Sequence, residues 1–318
     1  MTDVLAAAQA GDKQAFERLV APFRRELRAH CYRMSGSTHD AEDLLQDALV
    51  KAWKGLGGFE GRSSLRGWLY RVATSACLNA LEAKKNRALP SDLSGASEPS
   101  ASVLSSMGPN VEVPWLEPCP DEWIEAEEAS PEARYSRRQS VSLAFLTALQ
   151  RLPPRQRAVL LLRDVLGWQA SECAEFLELS VAAVNSALQR ARTTLEENRA
   201  VRPVAPDDET TRSLLEKYIT AWERSDVGML VQLLKEDAVL TMPPMPLWFA
   251  GAANIGASLA AMVLTPGSAG TYRVELTAMN GQPALTMFRD GVKAAVHVLT
   301  LDGDRIARLD AFLEPAPV

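Results

Sequence analysis

The spacing of apolar residues changes character along this chain, and that change constrains the fold more than any other feature. From Ala15 to Met34 and from Asp40 to Leu56, apolar residues recur at steps of three and four with charges between them, as amphipathic helices require. Asp40 is predicted to cap the second of these helices, Asp43 to place negative charge in its first turn, and Gly55, Gly57 and Gly58 to end it. Ser64 is predicted to cap a third helix, with Leu65, Trp68, Leu69, Val72, Ala73 and Ala76 as its buried stripe and Lys84, Lys85 and Arg87 at its basic end. The pattern stops at Pro90 and resumes near Tyr135. After a helical stretch from Leu214 to Trp222 it gives way to strand-like segments over Ala238–Met242, Thr271–Met279, Ala284–Phe288, Val292–Leu301 and Ile306–Phe312, separated by NGQP, RDG and DGD turns. A chain written this way reads as two all-α modules followed by an α+β module.

Charge follows the same divisions. The net charge of −6 conceals basic segments over 1–90 and 137–202, an acidic, Pro- and Ser-rich linker over 91–136, and an acidic α+β module over 209–318. The linker holds ten acidic residues against one basic residue, while Trp115, Leu116 and Trp123 among its prolines suggest a segment that docks. With 318 residues the chain can bury two or three cores. No apolar run approaches the roughly 18 to 20 residues of a membrane span, and the start MTDVLAAAQAGD lacks a signal-peptide layout, so a cytoplasmic protein with no membrane partner is expected. Cys31, Cys77, Cys119 and Cys173 form no C-x-x-C pair, and His30, Cys31 and His39 read as helix-face residues; no metal, disulfide framework or cofactor is expected.

Three constellations carry chemistry. Asp43, Gln46, Asp47 and Val50 fall at i, i+3, i+4 and i+7 and share one exposed helix face. Next, an aromatic and basic loop with Phe59, Arg62 and Ser63 precedes a helix bearing Arg66, Arg71, Ser75 and Asn79, with Lys84 beyond; such a surface suits single-stranded or melted DNA. Phe59 can serve either as a base pocket or as packing. From Gln169 to Arg192 the spacing is that of a helix-turn-helix, with Ala174 and Leu177 inward, a turn at Glu178 to Ser180, and Val181, Val184, Leu188 and Leu195 as the buried face of the second helix. Asn185, Ser186, Gln189, Arg190 and Arg192 then point outward, where they can read base edges or hold phosphates.

The run HDAEDLLQDALVKAWKGLGGFEGRSSLRGWLYRVATSACLN and the run QASECAEFLELSVAAVNSALQRAR resemble, in order and separation, regions 2 and 4 of a bacterial sigma-70-type RNA polymerase specificity subunit of the extracytoplasmic-function class. The resemblance implies that the Asp43–Val50 face docks on the clamp helices of the largest subunit of core RNA polymerase. It also implies that Phe59, Arg62, Ser63, Arg66, Arg71, Ser75, Asn79 and Lys84 open and hold the −10 element of promoter DNA, and that the outward helix-turn-helix residues contact the −35 element. Glu178 stands where the family commonly has Gly, and Asn185 and Ala187 where basic residues are frequent, which predicts a strained turn and weaker phosphate affinity. The family's linker threads toward the RNA exit path.

LLEKYITAWERSDVGMLVQLLKEDAVLTMPPMPLWFAG is similar to the SnoaL-like branch of the nuclear-transport-factor-2 superfamily, a curved sheet with helices closing a cone. This implies a domain regulating the sigma modules in cis. Trp222, Met242, Met245, Trp248, Phe249, Met262 and His297 are candidates for a pocket that takes a small-molecule ligand or serves intramolecular packing. His297 and Asp310 are the candidate general bases, although the chain is expected not to be an enzyme. Two alternatives stay open: a one-component helix-turn-helix regulator with a ligand-sensing domain, and a SnoaL-like enzyme tethered to DNA.

Overall fold

Pro22 divides the first predicted helix, because it has no backbone N–H to donate. The helix forms as α2 (Lys13–Val20), a 3₁₀ turn over Ala21–Phe23, and α3 (Arg24–Ser35), preceded by a short α1 (Thr2–Gln9). In this computed structural model residues 2–82, 84–100, 102–103, 108–123, 140–197 and 208–314 are described. They divide into two compact units that are not consecutive in sequence: Met1–Arg87 with Asp121–Arg199, and Ala88–Pro120 with Ala200–Val318.

In the first unit α4 (Thr38–Gly55) is capped by Ser37 and not by Asp40. Ser37 adopts the extended conformation a cap needs, and its hydroxyl accepts the Asp40 N–H at 3.0 Å. Asp40 instead lies in the first turn and accepts from Lys84 Nζ at 3.0 Å and Arg87 Nη2 at 2.8 Å. Burial opposes its charge, but these hydrogen bonds outweigh burial and hold the carboxyl below its usual range. α5 (Leu65–Leu81) begins at Ser64, whose hydroxyl accepts the Gly67 N–H, and buries Leu69, Ala73 and Ala76 while Leu65, Trp68 and Val72 are half-buried.

The second helical stretch contains α6 (Leu143–Gln150), α7 (Pro154–Leu160), a π-helical turn over Leu161–Val165, α8 (Ala170–Leu177) and α9 (Val181–Glu197). It joins the first stretch through Arg157, which is 1% exposed. The Arg157 guanidinium donates to Met34 O and Asn86 Oδ1 from the first stretch and to Gln150 Oε1, Gln150 O and Leu152 O from its own. These acceptors are all neutral oxygens, and burial brings its pKa down to about 10.

The second unit carries α10 (Asp208–Glu223), α11 (Val227–Leu233) and α12 (Ala252–Met262) on a six-stranded sheet. The strands are β1 (Leu234–Thr241), β2 (Trp248–Ala250), β3 (Tyr272–Met279), β4 (Gln282–Arg289), β5 (Val292–Asp302) and β6 (Arg305–Leu313), in the order β2-β1-β6-β5-β4-β3. Only the β1–β6 pairing is parallel among the described strands. This is the α+β arrangement that strand alternation predicts. One face carries Leu299, Leu309 and Ala311 into a core with Leu214, Tyr218, Trp222 and Ile255 from the helices.

Residues on the other face, among them Val298, Asp310 and Phe312, are buried as well. The described residues between 88 and 120 pack in this unit: Ala88 bridges Trp115, Ser97 N donates to Trp248 O at 2.8 Å, and Arg308 Nη2 donates to Ser91 Oγ at 3.1 Å. Cys119 and Asn280 exchange two hydrogen bonds of 2.9 Å, and Leu89, Leu116 and Cys119 are buried. The segment read as one linker over 91–136 is therefore split. Its first part belongs to the sheet unit, Asp121–Trp123 to the helical unit, and 124–136 lies outside the described residues, as do the resumption of helical patterning near Tyr135 and the Pro-bearing break up to residue 207.

Candidate nucleic-acid interface

On α4, burying Leu44, Leu45, Ala48 and Leu49 forces Asp43, Gln46, Asp47 and Val50 outward. All four are exposed, and the Asp43 carboxylate lies 3.7 Å from the exposed His39 imidazole. The face is acidic with an apolar end at Val50.

The loop between α4 and α5 is pinned from behind, since Gln9 Nε2 donates to Leu56 O and Phe59 O at 3.2 and 2.9 Å. Phe59 is half-buried, its ring 5.3 Å from that of Trp68, so it packs on α5 while standing beside the loop. Arg62 is exposed and pairs with Glu60 at 2.6 Å, with the half-buried Ser63 next to it. Arg71, Ser75 and Asn79, four residues apart, form one stripe along α5.

Most of the cations expected to meet phosphate already have acidic partners. Arg66 makes a bidentate contact to Glu26 at 2.7–3.0 Å and lies over the Tyr70 ring; the Glu26 hydrogen bonds raise its pKa. Arg71 lies 3.7 Å from Glu175 and 5.8 Å from the Trp168 ring, and Lys84 is held by Asp40. Sequence reasoning did not single out Glu26 and Glu175 and read Asp40 only as a helix cap, not as an ion-pair partner of these cations. Local spacing could not have found them, because each is far away in the chain.

The helix-turn-helix forms where it is predicted. α8 opens with a reciprocal cap between Gln169 and Glu172 and closes at Glu178, whose φ of 55° and ψ of 45° are left-handed, the strain expected of a non-glycine residue at this turn. Ser180 Oγ accepts the Ala183 N–H and starts α9. Val184, Ala187, Leu188 and Ala191 are buried, leaving Asn185, Ser186, Gln189, Arg190 and Arg192 exposed. Arg192 bonds Asp164 through two contacts of 2.7 and 2.9 Å, which raise its pKa, so Arg190 is the more available cation. Val181, predicted to be buried, is not. The buried side of α9 begins one turn later, at Val184.

Comparison with known proteins assigns both helical stretches to families. The sigma-70 region 2 family matches residues 19–87 and the sigma-70 region 4 family matches residues 142–195. ECF RNA polymerase sigma factor SigG of Mycobacterium tuberculosis is 46% identical over 306 residues, covering 94% of this chain and 81% of that protein. The chain belongs to the extracytoplasmic-function sigma factor family. A more distant relative, ECF sigma factor SigM of M. tuberculosis, is 28% identical over 193 residues, covering 61% of this sigma factor and 81% of its own length. The crystal structure of M. tuberculosis SigJ shares the fold across both units, with a TM-score of 0.61, 20% identity, and coverage of 93% of this chain and 96% of that one.

In the sheet unit of the sigma factor, Trp222, Met242, Phe249 and His297 are buried. Met245 and Met262 are half-buried against the same core, and Trp248 is turned to donate its indole N–H to Ser94 O at 2.9 Å. His297 Nδ1 lies 2.8 Å from the Tyr218 hydroxyl, with the Trp222 ring 5.0 Å away edge-on and the Trp222 N–H buried without an acceptor in bonding geometry. Burial lowers the His297 pKa to about 3 and keeps the ring neutral. Asp310, facing Val298 in register and not His297, lies on the opposite sheet face, where it accepts from Thr241 Oγ1 at 2.6 Å and Arg308 Nε at 2.9 Å. Among the described residues no cluster of His, Cys, Asp or Glu could hold a metal, and no helix is long and apolar enough to cross a membrane.

Proposed function

We propose that this sigma factor binds core RNA polymerase through Asp43, Gln46, Asp47 and Val50 against the clamp helices of the largest subunit, and directs initiation in the cytoplasm. In this reading Phe59, Arg62, Ser63, Arg71, Ser75 and Asn79 hold the −10 element, and Asn185, Ser186, Gln189 and Arg190 contact the −35 element. The observation that carries the reading is the acidic α4 face, exposed and free of packing duty beside a buried core. A helix-turn-helix regulator that never entered a polymerase would have no use for it. Arg71 lies near Glu175 and Trp168, so in holding the −10 element it exchanges these weak contacts for DNA phosphate.

The sheet unit regulates these steps in cis and is not a catalyst. His297 is buried against Tyr218 and Trp222, and Asp310 is buried in a pair with Arg308 and Thr241, so neither candidate base is open to a substrate, and close packing around His297 favours an intramolecular role over ligand sensing. Co-purification with core polymerase followed by run-off transcription tests the main reading: the full chain is expected to bind core and to start transcripts at defined sites. Asn280→Ala, which removes the side-chain partner of Cys119, is expected to change transcript yield at matched core occupancy. Unchanged yield removes the regulatory assignment.

A further inference from the structure

The first helical residue of α9 departs from the face its spacing assigns. Val181 stands three positions before Val184 and seven before Leu188, which are 0% and 6% exposed, yet Val181 is 45% exposed. It lies at the leading end of the recognition helix, beyond the part that packs on the rest of region 4. Its neighbour on the surface, four positions on, is Asn185, which is exposed as well. Asn185 and Gln189 continue the same stripe down the helix. A branched apolar group therefore heads a row of amide side chains at the end of the helix that enters the major groove first.

Among the base edges displayed in the major groove, the thymine 5-methyl is the apolar one; the others are hydrogen-bond donors and acceptors. A valine in a helix is stiff at χ1, so its isopropyl group loses little freedom when it meets a partner. We propose, building on the region 4 reading, that Val181 is a specificity residue that contacts the 5-methyl group of a thymine in the −35 element, next to the base read by Asn185. The contact gives an apolar side chain a role on a surface that is otherwise polar. It also offsets the lack of a basic residue at the exposed position 185, because specificity then draws on shape and methyl contact as well as on charge; Ala187, also noted for lacking a basic side chain, is buried and faces the core.

Random-sequence DNA serves as the probe, so the promoter need not be identified. Holoenzyme assembled from the full chain and core polymerase selects from two duplex libraries of identical randomised sequence, one made with thymine and the other with deoxyuridine, which lacks only the 5-methyl. Wild-type holoenzyme is expected to enrich thymine at one −35 position about fourfold over uracil at that position, the worth of one buried methyl. Val181→Ala is expected to enrich the two equally while keeping the preference set by Asn185 at the neighbouring position. Equal enrichment from both libraries by the wild type overturns the proposal, as does a methyl preference that survives in Val181→Ala. A holoenzyme that enriches no −35 motif from either library overturns the region 4 reading and the proposal with it.

Discussion

The two units treat their candidate functional residues in opposite ways. In the helical unit Asp43, Gln46, Asp47, Asn185, Gln189 and Arg190 face water, and the apolar residues between them hold the fold. In the sheet unit Trp222, Met242, Phe249 and His297 are themselves the fold, packed in one core with Tyr218 and Leu299. Helical spacing identifies an outward face and so a surface with no structural duty. It cannot tell an inward cluster that lines a pocket from one that fills a core, because both are written in the same apolar residues. The contrast predicts that changes in the first set separate binding from stability, and that changes in the second set do not.

Reversing both carboxylates of the α4 face is the strongest challenge to that separation. Asp43→Lys with Asp47→Lys is expected to cost several kcal/mol of core-polymerase affinity, as like charges are forced together at an interface, while stability shifts by only about half a kcal/mol per site. Titration against core polymerase beside a thermal melt reads both, and wild-type affinity with a normal melt would reject the docking face. A smaller effect is expected in region 4. Asn185→Ala and Gln189→Ala should each alter base preference by about 1 to 3 kcal/mol, whereas Arg190→Ala should weaken binding across sequences and reduce the salt slope. Uniform loss for all three would remove base reading from the two amides.

The buried histidines sharpen the comparison through pH. His30 in the helical unit and His297 in the sheet unit both have pKa values lowered to about 3, chiefly by burial. The unfolded chain takes up a proton below about pH 6.5 and the folded chain does not. Their contribution is therefore complete above that pH and is lost as pH falls toward 3, at about 1.4 kcal/mol per pH unit for each group. Between pH 6.5 and 5 each unit should lose about 2 kcal/mol, and His297→Gln should flatten the slope of the sheet unit alone, measured by hydrogen exchange resolved by unit. A slope in the sheet unit unchanged by that substitution would locate its acid sensitivity elsewhere. The smallest effect is expected at the helix-turn-helix turn: Glu178→Gly should raise stability by up to about 1 kcal/mol by relieving the left-handed backbone, without altering base preference.

Short-range chemistry was legible in the sequence. The Ser64 cap, the Glu178 turn, the α4 face and the hairpin-linked strands depend on residues a few positions apart. Even at that range Ser37 displaced Asp40 as a cap, since Asp40 is drawn into ion pairs with Lys84 and Arg87. The three-residue strand β2 is too short to show alternation. Long-range pairing was invisible. Glu26 with Arg66 and Asp164 with Arg192 neutralise cations that local spacing presents as open to phosphate. The Ser- and Pro-rich composition of residues 88–120 concealed the buried Leu89, Leu116 and Cys119, the last of which pairs with Asn280 near the other end of the chain.

That last arrangement also sets an order of events on the ribosome. The segment 88–120 is synthesised before region 4, but the strands that receive it end only at Leu313. At about 5 to 20 residues per second, the roughly 190 residues in between take on the order of 10 to 40 seconds, during which Cys119 lacks its partner Asn280 and Ser97 its partner Trp248. A message truncated after region 4 would make this interval permanent: its product would be a shorter sigma factor trailing an orphaned apolar strap, open to chaperones and proteases.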